Sequence, residues 1–359
     1  MTTKATSSGL DGLVVAETAI SDVDGERGRL VIAGSDVEQL AASSSYEAAV
    51  TRVLVAAGGK PLETGELGAA RGRTWELLSR VGDALDRRDG MNALRAAMAH
   101  LESTGDDRAD AATAIGAAPV FIAAWSRLRR GLAAIAPDPS LGHAADYLRM
   151  TVGGSPAAGA ARALEQYLVT VIDHGMNAST FTARVIASTA SDLVSSIVGA
   201  VGALKGPLHG GAPGPVLDML DAIGAPANAE AWLLDELAAG RRIMGMGHRI
   251  YRVRDPRAAV LELAVKPLAS PRLELARAVE TAAAKILRDK KPDRPLAANV
   301  EFYTAVLLDA VGLPREQFSP TFGVGRAGGW CAHVLEQRAV GKLIRPASTY
   351  VGPMPAASL

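Results

Sequence analysis

Three histidines in this chain sit in stretches that glycine and proline have cleared of other structure. His209 lies in Lys205-Gly-Pro-Leu-His-Gly-Gly-Ala-Pro213, and His248 ends Gly240-Arg-Arg-Ile-Met-Gly-Met-Gly-His248. His174 stands between Asp173 and Gly175. Gly206 and Pro207 stop the apolar helix before His209, and Pro213 or Pro215 suits the first turn of the next one. That puts the His209 imidazole at the positive end of a helix, which favours a neutral ring that donates a hydrogen bond. Taken alone, the nonapeptide is equally compatible with a surface histidine in a tight turn. After His248 come Arg249, Arg252, Arg254 and Arg257. Arginines this dense match the geometry of carboxylates and phosphates, so the segment reads as an oxyanion site rather than a solvated basic turn. Glu301, in Asn299-Val-Glu-Phe-Tyr303 after the polar break Lys290 to Pro295, enters an apolar helix. Buried, it is a base working near neutral pH; exposed, it merely complements a helix dipole.

Around these residues the chain reads as all-α. Aromatic residues make up only 4% of it, and small helix formers recur at helical spacing, so helices can approach closely. One exception is a β-hairpin, with Val14 to Ile20 and Arg29 to Ala33 flanking a turn over Asp22 to Glu26; Ser35 then resembles a helix N-cap. From Tyr46 to Tyr147 helical runs alternate with breaks, and His100 and His143 are structural or surface residues. A stripe of Leu164, Leu168, Val171 and Ile172 delivers the chain to His174, and Asn177, Ser179 and Thr180 offer caps for the next helix. Ser188 to Lys205 is rich in Gly, Ala and Ser, which suits a core or a subunit interface. Lys plus Arg and Asp plus Glu number 38 each, so nucleic acid and anionic membranes are excluded as main partners. The single cysteine, Cys331, fits a buried apolar role in a reducing compartment. No secretory h-region and no run of 18 apolar residues occurs, and the expectation is a soluble cytoplasmic protein.

Taken together, Gly9-Leu-Asp-Gly12, the hairpin, Asp173 to Thr180, Gly206 to Gly211, Gly245 to Arg257, Asn299 to Tyr303 and Lys342 to Pro346 resemble the citrate synthase family. The similarity is nearest to its short actinobacterial citrate synthase 2 branch and weakest from Gly58 to Pro156. The resemblance implies an all-α, two-domain helical fold with a small N-terminal β-hairpin. Residues 1–210 and 313–359 would form a large domain and 211–312 an inserted small one, with the site between them. It implies condensation of acetyl-CoA with oxaloacetate and water to give citrate and CoA. His209, His248 and Glu301 would be catalytic, and His174, Arg257, Arg326 and Arg345 would bind oxaloacetate, Arg345 from the partner subunit of a homodimer. Met244, Gly245, Met246, Gly247 and Arg252 would contact CoA. No metal and no cofactor beyond the substrates is implied.

The family's base is usually aspartate, and Glu301 departs from it by one methylene. Two alternatives accompany the main expectation: a 2-methylcitrate synthase that uses propionyl-CoA, and a paralogue that binds CoA or a dicarboxylate without turnover. One methylene in an apolar pocket discriminates by only about 1 to 3 kcal/mol, and no motif reports on that pocket.

Overall fold

The computed structural model describes residues 10, 12–209, 213–290 and 296–354. Gly9, Asp11, Gly210, Gly211, Ala212 and the break from Lys291 to Pro295, all part of the motifs above, lie outside the described residues. Those described form fifteen α-helices and one three-stranded antiparallel sheet, so the chain is all-α with a small N-terminal hairpin.

Two long helices make the centre. Asp107–Arg129, capped where Asp106 accepts from Ala109 N, is buried almost throughout from Asp110 to Ser126. It packs on Glu66–Leu77, on Gly90–Met98 and on the second long helix, Phe318–Val340. That second helix leans on the segment ending at Asp173. A side chain at Gly329 would overlap the Ile172 carbonyl oxygen, so glycine is what lets the two backbones meet there. The contact brings Arg326, about one turn earlier, into reach of Val171 O, to which its Nε donates at 2.5 Å. Ala160–Thr170, Ala178–Ala187 and Leu193–Leu204 also pack around Phe318–Val340, while Pro256–Val265 and Val300–Ala310 pack on each other and on Ala160–Thr170.

The hairpin differs from expectation. Strand β1 is Ser21–Asp24 and β2 is Arg29–Ile32, with Asp24 opposite Arg29; Val14 to Ile20 forms no strand. The reversal falls at residues 25–28 because Asp24 Oδ1 accepts from the N–H groups of Glu26 (3.1 Å) and Arg27 (2.9 Å), a side-chain turn that fixes where the chain folds back. Ser35 is not the helix cap. It pairs with Ile32 in strand β3 (Ser35–Asp36), and Val37–Ser43 starts after Asp36, whose carboxylate is held by Arg29 Nε at 2.7 Å. His100 is exposed, and His143 is buried against the Tyr46 ring with centroids 4.8 Å apart. Cys331 is fully buried, which pushes its thiol pKa up.

Candidate active site

The turn between Ala160–Thr170 and Ala178–Ala187 carries His174. Asp173, fully buried, accepts from His333 Nε2 at 3.1 Å, from Gly175 N at 3.0 Å and from Ser21 Oγ. These bonds fix the backbone on both sides of His174. Its ring is 6% exposed, and burial first, then the charges of Arg257 and Arg326, hold it well below the usual histidine range. A neutral ring results, with Nε2 3.1 Å from Tyr251 Oη.

Both other histidines have their tautomers set by backbone groups, which can only donate. Ser179 N lies 3.2 Å from His209 Nε2, so that nitrogen is the acceptor and the ring proton sits on Nδ1. Ser179 Oγ is 2.8 Å from the same nitrogen, and this hydroxyl oxygen accepts from Trp330 Nε1 at 3.1 Å. In His248 the roles reverse: Ile250 N (3.0 Å) and Tyr251 N (3.2 Å) donate to Nδ1, which leaves the proton on Nε2. Burial lowers both rings to about 4, helped by Arg326 at His209 and by Arg257 at His248. Burial and the charge of Arg326 both favour the neutral state of His209.

Asp255 organises the opposite wall. It caps Pro256–Val265, takes Arg257 Nε and Nη2 at 3.0 and 2.7 Å, and accepts from Val300 N at 3.2 Å. One buried carboxylate thus ties Arg257 to the start of the helix that carries Glu301. Arg257 Nη2 lies 3.4 Å from His248 Nε2, so two donors converge on one spot, where an acceptor oxygen would satisfy both. Glu301 is raised to about 7 by burial, against the opposing pull of Arg257. Arg326 is fully buried with no ion pair among the described residues, and burial lowers it to about 10. His174, His209, His248, Arg257, Glu301 and Arg326 all line one cavity of about 540 Å3. Leu208, Gly247, His248, Arg249 and Glu301 are shared with a second cleft of about 900 Å3, whose wall includes Met246, Arg241, Arg242 and Lys290.

A family model described as "Citrate synthase, C-terminal domain" matches residues 9–347. The chain belongs to the citrate synthase family. It is 38% identical over 354 residues to a Mycobacterium tuberculosis protein provisionally named citrate synthase 2, with 97% of this chain and 93% of that one covered. It is 36% identical over 365 residues to the 2-methylcitrate synthase of the same species, covering 96% and 90%. Among solved structures it resembles the citrate synthase of Thermoplasma acidophilum in ternary complex with carboxymethyl coenzyme A and oxaloacetate, with a TM-score of 0.86, 28% identity and 98% and 97% of the two chains covered.

Not every residue singled out in this citrate synthase chain meets in the cavities. Met246 and Gly247 line the second cleft, but Met244 packs against the core, and Gly245, at φ +71, turns the loop beside Phe302. Asn299 N donates to Gly245 O at 2.9 Å and its Nδ2 to Gly247 O at 2.8 Å, which fastens the loop to the Glu301 helix. Arg252 and Arg345 line neither cavity; Arg345 is exposed in a tail without helix or strand. Sequence reasoning missed the holding residues Ser179 (beyond a cap), Asp255, Asn299, Tyr251 and His333. Only Asp255-Pro256 and Asn299 carried a local signal, as N-caps.

Proposed function

We propose that the protein condenses acetyl-CoA with oxaloacetate and water to give citrate and free CoA. What carries this reading is one cavity holding Glu301, raised to about 7, together with two neutral histidines whose remaining N–H groups are fixed by backbone donors. A thioester methyl proton is too weakly acidic for a carboxylate acting alone. Glu301 takes that proton while His209 Nδ1–H holds the oxygen of the forming enol. The enol carbon attacks the oxaloacetate carbonyl carbon, and His248 Nε2 gives its proton to that oxygen, forming citryl-CoA. Water then cleaves the thioester, and CoA leaves as the thiol. His174, Arg257 and Arg326 hold the oxaloacetate carboxylates, and no metal or further cofactor takes part. The second cleft takes CoA, with Met244 to Gly247 shaping its wall and Arg252 near a CoA phosphate. Residues 1–210 with 313–359 act as the large domain and 211–312 as the small one, closing over the bound substrates to exclude water. Glu301 replaces the family's usual aspartate, and the start of its helix compensates for the added methylene.

The working form in this reading is a cytoplasmic homodimer in which Arg345 of one copy completes the site of the other. Purified protein given oxaloacetate and acetyl-CoA releases thiol at a rate indifferent to chelator; folded protein that releases none with either acetyl-CoA or propionyl-CoA refutes the enzyme assignment. The relative named 2-methylcitrate synthase supports propionyl-CoA as the competing substrate, and kcat/KM for the two thioesters decides between them. Mixing inactive Arg345→Ala and His248→Ala chains restores activity if sites are shared, since one site in each mixed dimer is intact. A mixture that stays inactive after verified subunit exchange rules sharing out.

A further inference from the structure

The N-terminal hairpin has no part in the chemistry above, yet it touches the two segments that present His174 and His248. At its base, Ser21 Oγ donates to Asp173 and accepts from Gly175 N at 2.9 Å, so it bonds on both sides of His174. At its tip, Gly25 O accepts from Arg252 N at 2.9 Å, four residues after His248. The tip contact is backbone against backbone. A methyl group at Gly25 would overlap the Ile250 carbonyl oxygen and would lie 2.8 Å from Ile250 Cγ2; one at Gly28 would lie 2.6 Å from Val253 Cγ2 and 3.2 Å from Arg254 O. Ile250 is also the residue whose N–H donates to His248 Nδ1 at 3.0 Å, so the hairpin presses on the same peptide segment that fixes the His248 tautomer. The rest of the hairpin cannot easily give way, because Ile20, Leu30 and Ile32 are fully buried.

We propose that the β1–β2 hairpin is a brace that sets the separation of His174 and His248, with Ser21 and Gly25 as positioning residues for oxaloacetate. The inference rests on the proposed oxaloacetate-binding roles of those two histidines, whose ring centroids stand 5.5 Å apart in nearly perpendicular planes. A dicarboxylate gripped from both segments requires that spacing to hold to a fraction of an ångström. Gly25 suits a test because its φ is not in the left-handed region, so alanine there changes contact and not backbone preference. Gly34 provides the control. It has φ +79 and open space around its Cβ position, so alanine there strains the β2–β3 turn without touching the His248 loop.

The experiment compares Gly25→Ala, Ser21→Ala and Gly34→Ala with the parent, measuring oxaloacetate KM, kcat and melting temperature on the full chain. The brace predicts that Gly25→Ala and Ser21→Ala each raise oxaloacetate KM by about tenfold or more, while Gly34→Ala lowers only the melting temperature. Equal kinetics for all three variants and the parent overturn it, as does a KM rise in Gly34→Ala matching that in Gly25→Ala. Should Gly25→Ala fail to fold, Ser21→Ala decides by the same comparison. A parent that does not turn over at all refutes the proposed function instead, so the two failures are distinct.

Discussion

Two buried clusters of charge in this molecule are built differently. Arg71 gives Nε to Asp146 at 2.7 Å and Nη2 to Leu141 O at 2.7 Å, while Asp146 also takes Arg149 at 2.8 Å and the Asp138 N–H. Beside it, His143 stacks on Tyr46, and none of these groups lines the candidate active site. Around Arg326 the arrangement is the reverse. That guanidinium is equally buried but has one backbone carbonyl and the Phe322 face for company, with neutral histidines and the opening of a cavity beyond. A buried ion whose partners are all in the fold contributes to structure. One left short of a counter-ion beside a cavity suits an anion that arrives later, the role proposed above for Arg326.

Replacing each arginine by methionine separates the two cases most sharply. Arg326→Met weakens oxaloacetate binding by about a hundredfold and leaves the melting temperature unchanged or higher, because it removes a buried charge that has no ion pair among the described residues. Arg71→Met leaves Asp146 with only the half-buried Arg149 and the Asp138 N–H and costs about 3 kcal/mol or more of stability, seen in denaturant unfolding, with oxaloacetate KM unchanged. Matching losses of stability in both variants would erase the distinction.

The pH dependence sharpens it further. With Glu301 at about 7 and His209 and His248 at about 4, the proposed mechanism predicts that kcat/KM falls tenfold per pH unit below about 7, and that the histidines add no further limb until about pH 4. A flat profile between pH 5 and about 8 would remove Glu301 from the free-enzyme titration.

A further effect is thermodynamic. The Glu301 pKa rises on folding from 4.5 to about 7, so its ionisation opposes folding: the cost begins above the unfolded value and is complete above the folded one. Glu301→Gln removes that cost and stabilises the protein by about 3 kcal/mol at pH 8, with the gain vanishing near pH 4. Calorimetry at the two pH values checks the sign.

The all-helical fold and five of the six cavity residues were legible in the sequence because their signals are local, whereas Arg326, mid-helix, was named only through the family resemblance. Glycine and proline around His209 and His248, and a carboxylate entering an apolar run at Glu301, can be read within ten residues. The holding residues could not be read that way. Ser179 looks like one more cap until the fold brings it to His209, and His333 sits mid-helix until Asp173 reaches it from 160 positions away. The hairpin register was misplaced for a related reason: apolar content marked Val14 to Ile20, while the Asp24 side-chain turn decided where the chain reversed. Arg345 is exposed on a tail, and the role proposed for it requires a second copy of the chain.

The most direct test of the account is exchange of acetyl-CoA methyl protons with solvent deuterium in the presence of a non-reacting oxaloacetate analogue, followed by NMR. It reads proton abstraction without carbon–carbon bond formation. The parent exchanges, and Glu301→Gln, which keeps the shape and loses the base, exchanges slower by about a thousandfold while still binding the analogue. Glu301→Asp also loses exchange, because the site is built around the longer side chain. Exchange by the Gln variant at near the parent rate would mean that another group removes the proton and that Glu301 is only a carboxylate at the start of a helix.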